Sequence, residues 1–143
     1  MKTQINLKKL VLALLLAASS TLCFAQCDKT ATLVSSQTNY YTDSGEFIKA
    51  KDEETVITIT RTALTIVPGD EEHKVTGPIT KSTCDWKVPF KEGKSIITAV
   101  LENKGRERHA TLIIEGKNGK VTATYTIEEA PGRMLIITAN KFE

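Results

Sequence analysis

Lys117-Asn118-Gly119-Lys120-Val121-Thr122-Ala123-Thr124-Tyr125-Thr126-Ile127-Glu128 carries the two signals that decide the fold. Asn-Gly supplies the positive φ angles of a type I′ turn, whose twist matches that of two antiparallel strands. After the turn, Val121, Ala123, Tyr125 and Ile127 alternate with Thr122, Thr124, Thr126 and Glu128. Successive side chains of an extended chain point to opposite faces, so this run reads as a strand with one apolar and one polar side. The period continues before the turn, where Ala110, Leu112 and Ile114 alternate with His109, Thr111, Ile113 and Glu115. Together the two runs predict a hairpin with a single buried face.

The same grammar extends in both directions. Trp86, Val88 and Phe90 alternate with Asp85, Lys87 and Pro89, and Thr55-Val56-Ile57-Thr58-Ile59-Thr60 is rich in the β-branched residues that fit a pleated surface. Turn signals separate the runs: Pro68-Gly69-Asp70, Lys91-Glu92-Gly93-Lys94, Asn103-Lys104-Gly105 and Ala130-Pro131-Gly132. Strands are expected near 30–37, 54–60, 63–67, 73–79, 85–90, 95–102, 107–115, 120–128 and 132–140, with no helical period after residue 25. Short connections force consecutive strands to lie side by side and antiparallel. Such a meander leaves two exposed edges unless it closes on itself. The expected fold is therefore all-β, an antiparallel up-and-down meander closing into an eight- or nine-stranded barrel, with a two-sheet β-sandwich as the alternative.

The N-terminus has the three-part order of an export signal. Lys2, Lys8 and Lys9 precede the apolar run Leu10 to Ala18, and Cys23-Phe24-Ala25 places small side chains one and three positions before a cut after Ala25. As a helix that apolar run spans far less than a hydrocarbon core about 30 Å thick, so a cleaved signal is expected rather than an anchor. A lipoprotein acylated at Cys27 is the alternative; Gln26 fits it poorly. The expected organisation is a signal peptide at 1–25 and a single all-β domain at 26–143, without a transmembrane segment, periplasmic or secreted. Removing three lysines from 19 Lys and Arg leaves 16 against 17 Asp and Glu. A near-neutral chain without a basic stripe gives no footprint for nucleic acid. Cys27 and Cys84 remain as an even pair in an oxidising compartment, where one disulfide is expected.

The signal peptide, the size and a hairpin series covering nearly all of 26–143 resemble the secreted bacterial lipocalin-like, calycin-type small barrels. The likeness is one of layout, since the Gly-x-Trp of that family's first strand is absent and the single tryptophan is Trp86. It implies a barrel that holds a small apolar or amphipathic molecule.

Catalytic constellations are scarce. His73 stands in the charged run Asp70-Glu71-Glu72-His73-Lys74, and His109 is expected on an outer strand face. No Gly-x-Ser-x-Gly elbow, calcium-loop spacing, Cys-x-x-Cys pair or phosphate loop occurs, so no enzyme, cofactor or metal is expected; a weakly marked hydrolase, with His73 or His109 facing a cleft, is the remaining alternative. Gly116 and Gly119 read as hairpin residues, and Asp52-Glu53-Glu54 as charges before a strand. The candidate ligand-binding residues are Trp86, Phe90, Arg108 and Tyr125. Core packing is the competing role for the rings, and stacking on an aromatic ring for Arg108. Ala99, Ala110 and Ala123 suggest interior room, which Ile57, Ile59, Leu64, Ile66 and Ile136 compete to fill; Tyr40 and Tyr41 fall in a connection. The alternative function is a protein-interaction or inhibitor module acting through loops or a sheet edge.

Overall fold

A computed structural model describes residues 27–143; the expected signal peptide and its cleavage site lie outside them. The elements are β1 (Ala31–Tyr41), β2 (Phe47–Ile59), β3 (Ala63–Pro68), a 3-10 turn (Glu71–His73), β4 (Val75–Val88), β5 (Glu92–Asn103), β6 (Arg106–Lys117), β7 (Lys120–Ile127), β8 (Met134–Thr138) and β9 (Lys141–Phe142). Consecutive strands from β1 to β8 pair antiparallel. The ring closes because β1 pairs with β2 on one edge and with β8 on the other, from Thr38↔Ile137 to Tyr41↔Met134. β9 continues along that second edge through Leu33↔Phe142. The result is an eight-stranded up-and-down barrel with one extra short strand, and the sandwich alternative falls away.

Local chemistry explains the meander. Asn118 and Gly119 hold φ at 53° and 75°, and Lys104 and Gly105 at 51° and 75°, the left-handed pair of a two-residue hairpin. Inside, Leu33, Ile57, Leu64, Leu101, Leu112, Ile114 and Ala123 are fully buried. An eight-stranded barrel is just wide enough for side chains to fill. Ala123 pairs with Ile114 and Ile137, and Ala110 with Ile127, while Ala99 and Ala110 face each other. Ala110 and Ala123 therefore each lie beside a bulky neighbour.

Several expected boundaries shift. The runs at 73–79 and 85–90 belong to one strand, β4, since Thr80 to Cys84 continues extended and the ladder with β5 slips at Ile79/Lys81 without breaking. A second slip at Trp86/Val88 separates residues expected on one face: Trp86 is buried and Val88 is 43% exposed. Phe90 lies beyond β4 in the turn to β5, with φ at 59°. β2 begins at Phe47, and Tyr40 and Tyr41 end β1; the connection between them is closed by Thr42 N–H donating to Glu46 O at 2.8 Å. The last expected strand divides at Ala139-Asn140, where the Asn140 side chain accepts from Ser36 N–H at 2.7 Å. In β8 it is Ile137, not Ile136, that is buried.

One mismatch of lengths positions the site. β3 has 6 residues, between β2 with 13 and β4 with 14. It covers β4 only from Val75 to Pro78, so β4 runs on to Val88 without a strand on that edge. Cys27 and Cys84 are paired as a disulfide, their Cα atoms 5.9 Å apart. The segment before β1 is thereby strapped to the part of β4 that β3 leaves uncovered.

Candidate ligand-binding site

Beneath this strap lies a cavity of about 60 Å³. Its apolar wall comes from Ile59 at the end of β2, Ile79 on β4, Ile97 on β5, Ile114 on β6 and Phe142 on β9. Its polar wall comes from Thr60, Ser82, Thr83 and Ser95, with both cysteines of the disulfide beside them. Lys29 on the strap and Arg61 in the β2–β3 turn also border it, both exposed to solvent. No carboxylate borders it, and among the described residues neither cation has an ion-pair partner.

Trp86 sits behind this cavity as part of the barrel's packed end. It is 2% exposed, and its Nε1–H donates to Ser95 Oγ at 2.8 Å. Its ring lies over Gly93 and Gly116: a Cβ on Gly116 would come within 2.8 Å of the ring and 2.5 Å of Lys91 O. Phe142 packs against it with centroids 5.5 Å apart, and Phe90 meets Phe142 edge-on at 5.0 Å. Two of the expected ligand residues thus converge on Phe142, which itself faces the cavity. The other two lie elsewhere. Arg108 is eight residues along β6 from Gly116, roughly 26 Å at about 3.3 Å per residue. Tyr125 on β7 is 8% exposed, and burial pushes its phenol up to about 12, with the Arg108 charge acting in the opposite sense.

The two histidines are occupied at the surface. His109 Nδ1 lies 2.6 Å from Glu129 Oε1, a contact that raises the histidine and holds the carboxyl down at about 2. His73 Nδ1 lies 2.7 Å from Asp70 Oδ1, and that hydrogen bond lowers Asp70. No group of three or more His, Cys, Asp or Glu side chains suited to a metal ion occurs among the described residues, and no helix among them is long and apolar enough to cross a membrane.

Sequence reading missed Lys29, Arg61, Ile79 and Phe142. The expected disulfide was the one available signal, because it draws the neighbourhood of residue 27 to residue 84. Arg61 and Phe142 reach the cavity through barrel closure, which carries no local mark.

A second, open surface lies at the far end of β2. β3 covers β2 only from Thr55 to Ile59, leaving the outer edge before it free of a strand. Phe47 and Ile48 are 56% and 50% exposed there. A groove of about 240 Å³ runs beside them between Tyr40, Tyr41, Ile48, Lys49 and Arg133.

No family model, curated protein or solved structure matches the chain. The geometry itself is that of an antiparallel up-and-down β-barrel, consistent with a lipocalin-like fold.

Proposed function

We propose that the chain is an exported, non-enzymatic barrel that binds a small apolar or amphipathic molecule at its disulfide end. The observation that carries this reading is the cavity between Ile59, Ile79, Ile97, Ile114 and Phe142, an apolar space at the stretch of β4 that β3 leaves uncovered. Binding sites of this kind are concave, mostly apolar, and carry a few polar groups that orient the ligand. In this reading Trp86 and Phe90 support Phe142 as the rigid back wall. Arg108 and Tyr125 take no direct part. The disulfide favours the oxidising compartment to which the expected signal peptide would deliver the chain.

The ligand is short. A buried water needs roughly 15 Å³ by this measure, so a cavity of about 60 Å³ takes roughly four water-sized groups. That matches the end of a small molecule and not a long chain threaded along the barrel axis. Titration with 1-pentanol, followed by the methyl NMR signals of Ile59, Ile97 and Ile114, tests the site. Saturable shifts at these methyls, lost on Ile97→Phe, are expected. Shifts scattered over the surface, or none, would contradict the reading.

The second reading is a protein-interaction module acting through a sheet edge, favoured by exposed Phe47 and Ile48 on the uncovered edge of β2. Its test is affinity recovery from an envelope extract. A partner retained by the native chain and lost on Phe47→Ser with Ile48→Ser supports it, and recovery indifferent to those changes removes it.

A further inference from the structure

The geometry points to a short-chain amphipathic anion, of the monocarboxylate class, as the occupant of the cavity, with its charged end between Lys29 and Arg61. This rests on the reading of that cavity as the ligand site and adds the chemistry of the ligand.

The charge around the cavity is one-sided. Its lining includes two cations and no carboxylate, and neither cation is paired among the described residues. Being unpaired does not by itself set them apart, since among the described Lys and Arg only Lys51, Lys74, Lys94 and Lys141 have an ion-pair partner; what does is that both border one opening that no carboxylate borders. An anion arriving at the opening meets two positive groups from separate elements, the strap and the β2–β3 turn. The Arg61 guanidinium offers the planar fork that matches a carboxylate, and the Lys29 ammonium adds a compact point charge. Thr83 adds a hydroxyl to the lining, whereas the Thr60 hydroxyl is held in the β2–β3 turn, donating to Ala63 O at 3.2 Å and accepting from Ala63 N–H at 2.9 Å.

The floor decides against a purely ionic ligand. Ile59, Ile97 and Ile114 offer nothing to a second charge, and burying an unpaired charge among them would cost more than the surface cations return. One charged end and a tail of about four carbons satisfy both halves, given room for roughly four water-sized groups. Lys29 stands two residues after Cys27, so the disulfide holds one of the two cations in place.

The test compares two probes with the same tail, pentanoate and 1-pentanol, titrated into the disulfide-bonded protein while the Ile59, Ile97 and Ile114 methyls are followed. Pentanoate is expected to bind at least about fivefold more tightly at low salt. That advantage should shrink as salt screens the cations. Arg61→Gln and Lys29→Gln, both at exposed positions where folding is not at stake, should each remove most of it. Equal affinity for the two probes would overturn the anionic assignment while leaving the cavity as an apolar site. An advantage that survives in the double variant would also overturn it. If neither probe perturbs the methyls, the cavity reading and the anion fall together.

Discussion

At Gly116 the missing side chain is a packing requirement. The Trp86 ring and the Lys91 carbonyl occupy the space a Cβ would need. Backbone cannot swing aside as a flexible side chain can, so Gly116→Ala should destabilise the protein by about 1–3 kcal/mol in urea unfolding. An unchanged midpoint would mean that the ring does not rest there. The sequence suggests a hairpin glycine at this position, but Gly119 holds the turn, with φ at 75°, and Gly116 lies beneath Trp86. That contact spans β4 to β6, beyond the reach of any local pattern. Tyr125 was more legible, because alternation alone places it on the buried face. Its phenol, raised to about 12, keeps its proton in the folded state where the unfolded chain loses it near 10. The associated stability is present below pH 10 and lost as pH rises toward 12. Tyr125→Phe should flatten that alkaline decline in a series of denaturation midpoints; an identical decline in both proteins would show that another group governs it.

Among the elements, the strap matters most. Its disulfide closes a loop with a sequence separation of 57, a constraint on the unfolded chain of roughly 4 kcal/mol. Cys27→Ser with Cys84→Ser should lower stability by about 2–5 kcal/mol. Hydrogen exchange should speed up first at the segment before β1 and at β4 from Ile79 to Cys84, because β3 gives that edge no strand to pair with. Uniform loss of protection around the ring would contradict a local role. The cysteine pairing was legible because the expected removal of residues 1–25 leaves an even number of cysteines. The gap they bridge was not, since it depends on β3 being short and β4 continuing through Thr80 to Cys84, where a break was expected. The connection from β7 to β8 has its own fastening, since His109 N–H and ring both meet Glu129. Its contribution is complete between the ordinary values of 4.5 for Glu and 6.5 for His. It is lost as pH rises through the raised histidine value or falls to about 2. An NMR titration should find His109 above 6.5, and Glu129→Gln should bring it back; a histidine at its ordinary value in the native chain would refute the pairing.

At the scale of the whole molecule, the barrel was readable because two-residue turns and alternating faces leave a meander few other ways to hide its edges. Its interior was less so. Ala99, Ala110 and Ala123 pointed toward room at the centre, yet Ala110 lies opposite Ile127, and Ala123 opposite Ile114 and Ile137. The cavity beneath the strap lies instead at one end, between elements far apart in sequence, and the four aromatic and cationic candidates split between opposite ends. Xenon tests this distribution directly, because it enters small apolar spaces without needing polar partners. A crystal structure of the disulfide-bonded protein under xenon pressure should show the atom between Ile59, Ile79, Ile97 and Ile114, with none along the centre of the barrel. Xenon spread along the barrel axis, or absent from the disulfide end, would contradict the account.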